Sequence, residues 1–141
     1  MQMKVLVIQG AGMDLRGKTQ VEIFGPETLD EINAQISQQA KALGLAVEIF
    51  QSNDEQEVIS KLRGLKSGDI DALIINPGGF TAIEGQLPET VSSLGVPAFE
   101  VHASNPAARD VRSKLLPVCQ GGVCGFGYAG YGMVLQAISI S

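Results

Sequence analysis

An α/β architecture built on a mostly parallel, five-stranded sheet is predicted by three observations. Short β-branched or wholly apolar runs alternate with segments of helical apolar spacing along the entire chain. Capping residues precede the helical segments, and glycine or proline marks most junctions. The 141 residues, 45% hydrophobic and 18% charged, suffice for one domain with a core of its own.

Each element can be justified in turn. Lys4–Gln9 (KVLVIQ) is a short β-branched strand closed by Gly10. The stretch 11–25 bears glycines, lacks a period and is long for a connection, the profile of a functional lid. Thr28 and Glu31 form a capping box, and Ile32, Ile36, Ala40 and Leu43 line one helical face that ends at Gly44. Ala46–Phe50 is the second strand. Ser52 with Glu55 offers another capping box ahead of Val58, Ile59, Leu62 and Leu65. Ala72–Asn76 (ALIIN) is a continuous apolar run, as a central parallel strand requires. Pro88 fits the first turn of a short helix ending near Gly95, and 97–101 is the fourth strand. Asn105 and Pro106 are the N-cap and first position of a short helix running towards Ser113. Val118–Cys124 is the fifth strand, and Tyr131–Ser139 the last helix. Right-handed crossovers and this size point to a flavodoxin-like three-layer sandwich of order 2-1-3-4-5, with residues 1–141 as a single domain.

Composition excludes several classes of function. Ten Lys and Arg against fifteen Asp and Glu give a net charge of −5, so no basic footprint for nucleic acid or an anionic membrane is expected. No apolar run approaches the ~18–20 residues of a membrane span. Residues 1–9 are too short for a signal peptide, which points to a cytoplasmic protein. Cys119 and Cys124 stand five apart in the expected strand and face opposite sides, so they read as buried, reduced small hydrophobes. With His102 the single histidine and no CxxC spacing, no metal set is expected. Gly125–Gly130 matches GxGxxG, but the chain stops before the acidic residue that a dinucleotide site needs ~20 positions on. Close helix–strand packing explains those glycines better, and no cofactor is expected.

The carboxyl ends of strands one, three and four converge in such a fold. They supply the loop from Gly10, the turn Asn76–Gly79, and Glu100 with His102. The last two are two apart, so they project from one face. A carboxylate beside an imidazole fixes its tautomer and suits a general acid; the same pair could equally be a hydrogen-bonded cap of the strand end. Asn76 could orient a substrate hydroxyl or simply begin a turn.

Over nearly the whole chain these residues resemble type II 3-dehydroquinate dehydratase. The resemblance rests on KVLVIQG, EIFGPETLDEI, FQSNDE, IINPGGFT, FEVHASN, AAR and VCGFGYAGYGMVLQA, occurring in that order. It implies anti elimination of water through an enolate. A lid tyrosine, made basic by a nearby arginine, takes the proton, and a histidine assists the departing hydroxyl. By the same resemblance His102, Glu100 and Asn76 are catalytic, and Ala103, Ser104, Arg109 and Arg112 bind the substrate, its carboxylate at the Ser104 backbone and Arg112 out of register. It also implies a homo-oligomer, a trimer or a dodecamer of trimers, with an acidic residue near Glu89 reaching a neighbouring subunit.

The departures from the family pattern fall where the chemistry is. Phe24 stands at the catalytic tyrosine, and Thr19 at the lid arginine, with Arg16 and Lys18 close by. Gly12 replaces an asparagine of the first loop, whose usual GPNLNLLG reads GAGMDLRG here, so that Arg16 stands where the family has leucine. Ala82 replaces the histidine after the Asn-Pro-Gly turn. With Thr19 in the lid, a tyrosine restored at position 24 is expected to lack its activating cation. A general base is worth about 10²–10⁴ in rate, so these losses together predict a poor or inactive dehydratase that binds or converts a related small carboxylate. Two alternatives are a working dehydratase with a relocated base (Tyr128, Tyr131 or Asp14) and a non-catalytic oligomeric sensor.

Overall fold

The computed structural model describes residues 2–141. Strand β1 (Lys4–Ala11) leads through a 3-10 turn at Met13–Leu15 and the short α1 (Val21–Phe24) into α2 (Leu29–Ala42) and β2 (Ala46–Gln51). Next come α3 (Glu55–Arg63), β3 (Ala72–Gly78), α4 (Gln86–Ser92) and β4 (Ala98–His102). Two 3-10 turns, Pro106–Arg109 and Leu116–Val118, precede β5 (Gly121–Cys124) and α5 (Ala129–Ser139). Every pairing is parallel, and the order is β2-β1-β3-β4-β5, as the alternation of elements predicts.

Strand periodicity divides the core into two layers. Val5, Val7 and Ile74 face Ile32 and Ile36 of α2 and Tyr131 and Leu135 of α5. Leu6, Ile8, Leu73 and Ile75 face Val58 and Leu62 of α3 and Leu87 and Val91 of α4. Both faces of β1 and β3 are therefore buried, which is why their sequences are apolar without alternation. The Thr28–Glu31 capping box forms reciprocally at the head of α2.

Several boundaries differ from expectation for local reasons. Helix α3 is capped by Asp54, which accepts from Gln56 N–H; Ser52 instead bonds the Asp54 N–H and the Glu57 carboxylate. The turn after Asn105 lasts only four residues, because Asp110 enters the left-handed region (φ 58°) and ends it. Val118 belongs to a 3-10 turn opened by Pro117, so the fifth strand begins only at Gly121. Cys119 thus lies outside the strand and is half-buried, while Cys124 is exposed, against the expectation that both are buried. Burial, and secondarily the Glu100 charge, push the Cys119 thiol up to about 12, leaving it unreactive.

The carboxyl ends of β1 and β3 approach so closely that side chains are excluded. A Cβ on Gly10 would overlap the Pro77 carbonyl, and one on Gly78, itself at φ 53°, would overlap the Ala11 carbonyl. This contact forms the floor of the crevice described below. Gly10→Ala should cost about 1–3 kcal/mol through overpacking, read as a shifted midpoint in urea denaturation; an unchanged midpoint would show that the strands can separate cheaply.

Candidate active site

The sheet's carboxyl edge carries a cavity of about 390 Å³. It is lined by Gly12, Arg16, Thr19 and Phe24 from the lid, Asn76 and Ala82 from β3 and beyond, and His102, Ala103, Ser104 and Arg109 from the end of β4 onward. Gln20 and Thr81 complete its polar wall. Most of the residues expected to act together are therefore gathered in one place. Three do not line it: Lys18 is exposed, Glu100 is buried behind His102, and Arg112 is exposed and borders an adjoining depression that shares His102, Pro106 and Val111 with the cavity.

Asn76 is held by a buried polar chain. It is 4% exposed; its Oδ1 accepts from the Gly78 N–H at 3.2 Å and its Nδ2 donates to the Tyr131 hydroxyl at 2.9 Å. Tyr131 in turn donates to Gln9 Oε1 at 2.7 Å, and Gln9 Nε2 donates to Asn33 Oδ1 at 3.1 Å. Gln9 and Asn76 are register partners across β1 and β3, so the chain spans the sheet's centre. The amide orientation is thereby assigned by its partners, leaving one Nδ2 hydrogen for a ligand. Neither Gln9 nor Asn33 was singled out from sequence, although a glutamine closing an apolar strand run was a usable signal.

Glu100 and His102 form the pair that their spacing predicts, with Nε2 and Oε1 2.6 Å apart. Glu100 is 3% exposed, and its other oxygen accepts from Ser113 Oγ at 2.5 Å. Ser113 is itself fixed by the Leu115 and Leu116 N–H groups, a buttress that no sequence motif announced. Glu100 Oε1 accepts a hydrogen bond from His102 Nε2–H, which leaves Nδ1 as the ring's second polar atom. Behind this strand end the glycine-rich segment braces the backbone: Gly125 N–H donates to Ser104 and Gly127 N–H to Ala103. A Cβ on Gly130 would crowd Val123 and Val101, so close packing does account for a glycine of this motif.

Arg109 and Ser104 make a compact anion corner. The Asn105 cap opens the turn that returns Arg109, whose Nη1 donates to Ser104 Oγ at 2.9 Å. At the lid end Gly12 N–H and Asp14 are tethered to Asn53, which also accepts from Gln51. The FQSN segment thus anchors the root of the lid.

The lid holds a correction. Phe24 was expected to lack a neighbouring cation because of Thr19, yet the Arg16 guanidinium carbon sits 3.8 Å from the centre of its ring. Arg109 lies 5.8 Å from the same centre. Such stacking on a phenyl face is favourable and orders both partners. Arg16 is 8% exposed, and burial depresses its pKa, although it remains a cation at neutral pH. Among the described residues no three His, Cys, Asp or Glu side chains gather as a metal set would.

An α/β protein with this strand order and a crevice at the carboxyl ends of its central strands belongs to the class of doubly wound α/β domains. The comparisons narrow this. The model of the family "Dehydroquinase class II" matches residues 3–139, and the chain belongs to that family. It is 41% identical over 138 residues to the 3-dehydroquinate dehydratase of Desulforudis audaxviator (strain MP104C), covering 96% of this chain and 91% of the relative. The crystal structure of type II dehydroquinase from Butyrivibrio crossotus DSM 2876 superposes with a TM-score of 0.92 at 30% identity, over 99% of both chains. That from Propionibacterium acnes gives 0.92 at 25% identity over the full length of both.

The buried chain makes a clear demand on Tyr131. Tyr131→Phe leaves Gln9 Oε1 and Asn76 Nδ2 without their partner, and should cost about 1–3 kcal/mol in urea denaturation. A loss below about 0.5 kcal/mol would mean that the amides find other partners.

Proposed function

We propose that the protein binds a small carboxylic acid in this crevice and, unlike its 3-dehydroquinate dehydratase relatives, dehydrates 3-dehydroquinate poorly or not at all. One observation carries the reading. Among the described residues, the titratable side chains lining the cavity are Arg16, His102 and Arg109, so no carboxylate, phenol or thiol stands at the ring face of a ligand.

Elimination of water from a β-hydroxyketone needs a group to take the α-proton and a group to protonate the departing hydroxyl. His102, oriented by Glu100, suits the second task, and Asn76 can hold a substrate oxygen. Arg109 and Ser104 suit the carboxylate. The first task has no candidate, because Phe24 occupies the place of the family's lid tyrosine.

The relocated-base alternatives gain no support. Tyr131 is fully buried with its hydroxyl committed on both sides, and burial pushes its phenol well above the ordinary range. Burial also raises Tyr128, which does not line the cavity; Asp14 is engaged by Asn53 and does not line it either. A wholly ligand-free sensor is disfavoured by the intact Ser104–Arg109 corner.

Assembly into trimers or a dodecamer is part of the same proposal, supported by exposed apolar residues such as Phe126, Ile140 and Leu116. Gel filtration should then return a multiple of the 14.8 kDa chain; a monomer would contradict it.

Because Arg16 already flanks the ring, Phe24→Tyr alone supplies a phenol beside a guanidinium, and Thr19→Arg is not required. In an assay of 3-dehydroquinate followed by absorbance of the conjugated enone, Phe24→Tyr should exceed wild type by at least about 100-fold. Equal rates in the two proteins would overturn the reading.

A further inference from the structure

Arg16 presents an unsettled charge. It is 8% exposed, its Nε is buried with no hydrogen-bond partner, and among the described residues no carboxylate pairs with it. A buried guanidinium without an anion is costly, and stacking on Phe24 does not satisfy its N–H donors. Yet the side chain lines the same cavity as Arg109, and both guanidiniums flank one phenyl ring, at 3.8 and 5.8 Å from its centre.

We infer that the crevice selects small acids carrying two anionic groups, one held at Ser104–Arg109 and the second at Arg16. The inference rests on the carboxylate-binding reading above and adds the second group to it. One compact molecule can reach both, because both guanidinium carbons lie within 5.8 Å of the Phe24 ring centre and both side chains line the same cavity. A planar fork of N–H donors favours a carboxylate or phosphate oxygen pair over a lone hydroxyl. Ala11, Leu15, Ala82 and Val111 add apolar lining to the same cavity, which suits the carbon skeleton of such an acid. A dianion would also neutralise both guanidiniums, which a monocarboxylate leaves half done.

Benzoate and isophthalate, which differ by one carboxylate on the same ring, test this by calorimetric titration of the full chain. Wild type should bind isophthalate about tenfold more tightly than benzoate, the worth of one charge-assisted contact. In Arg16→Leu that ratio should fall to within about threefold, close to the loss of the whole contact. Because this change also removes a packing partner of Phe24, Arg16→Gln, which keeps a polar stem, must show the same fall. Lys18→Leu removes an equal charge from outside the cavity and should keep the wild-type ratio. A wild-type ratio near one, or a preference that survives both Arg16 variants, overturns the inference while leaving carboxylate binding intact. Absence of binding by either compound overturns the underlying reading, and this inference with it.

Discussion

The buried hydrogen-bond chain from Asn33 through Gln9 and Tyr131 to Asn76 and the Gly78 N–H is the constraint on which the crevice depends. It joins α2, β1, α5 and β3 at the point where ligands enter this kind of sheet. In a core otherwise made of Val, Ile and Leu, each of these polar groups must find its partner or forfeit its solvation. Full satisfaction therefore permits only one packing of α5 on the sheet, and one orientation of the Asn76 amide. The close approach of Gly10 to Pro77 keeps β1 and β3 in the register that the chain requires.

Above that floor the site has two halves. The half formed by the end of β4 is a complete machine part: Glu100 orients His102, Ser113 secures Glu100, and Arg109 braces Ser104. The half formed by residues 12–24 carries the Phe24 ring with the Arg16 guanidinium beside it. Among the described residues the cavity thus presents an imidazole and two guanidiniums, and no carboxylate, phenol or thiol. Arg16 is a buried cation, a feature with a stability cost.

Most of the fold was legible because it is carried by local rules. The apolar runs KVLVI and ALIIN, the Thr28–Glu31 box and the Asn105 cap each imply their element directly, and alternation then implies the order of strands. The pairing of Glu100 with His102 followed from period-two geometry alone. What escaped was tertiary. That Arg16 would reach Phe24 depends on how a glycine-bearing loop folds back through α1, for which no periodicity exists. Ser113 became a partner of Glu100 only because Asp110 turns into the left-handed region and stops the helix expected to run past it. Cys119 left the strand for a similar reason, with Pro117 imposing a 3-10 turn ahead of it.

If the crevice keeps its anion corner and lacks a base, calorimetric titration of wild-type protein with 3-dehydroquinate, with enone absorbance followed in the same sample, should give saturable binding heat and no accumulation of enone. Multiple turnovers of enone that disappear in His102→Ala would contradict that expectation, and would mean that a proton acceptor enters the crevice from elsewhere in the assembly.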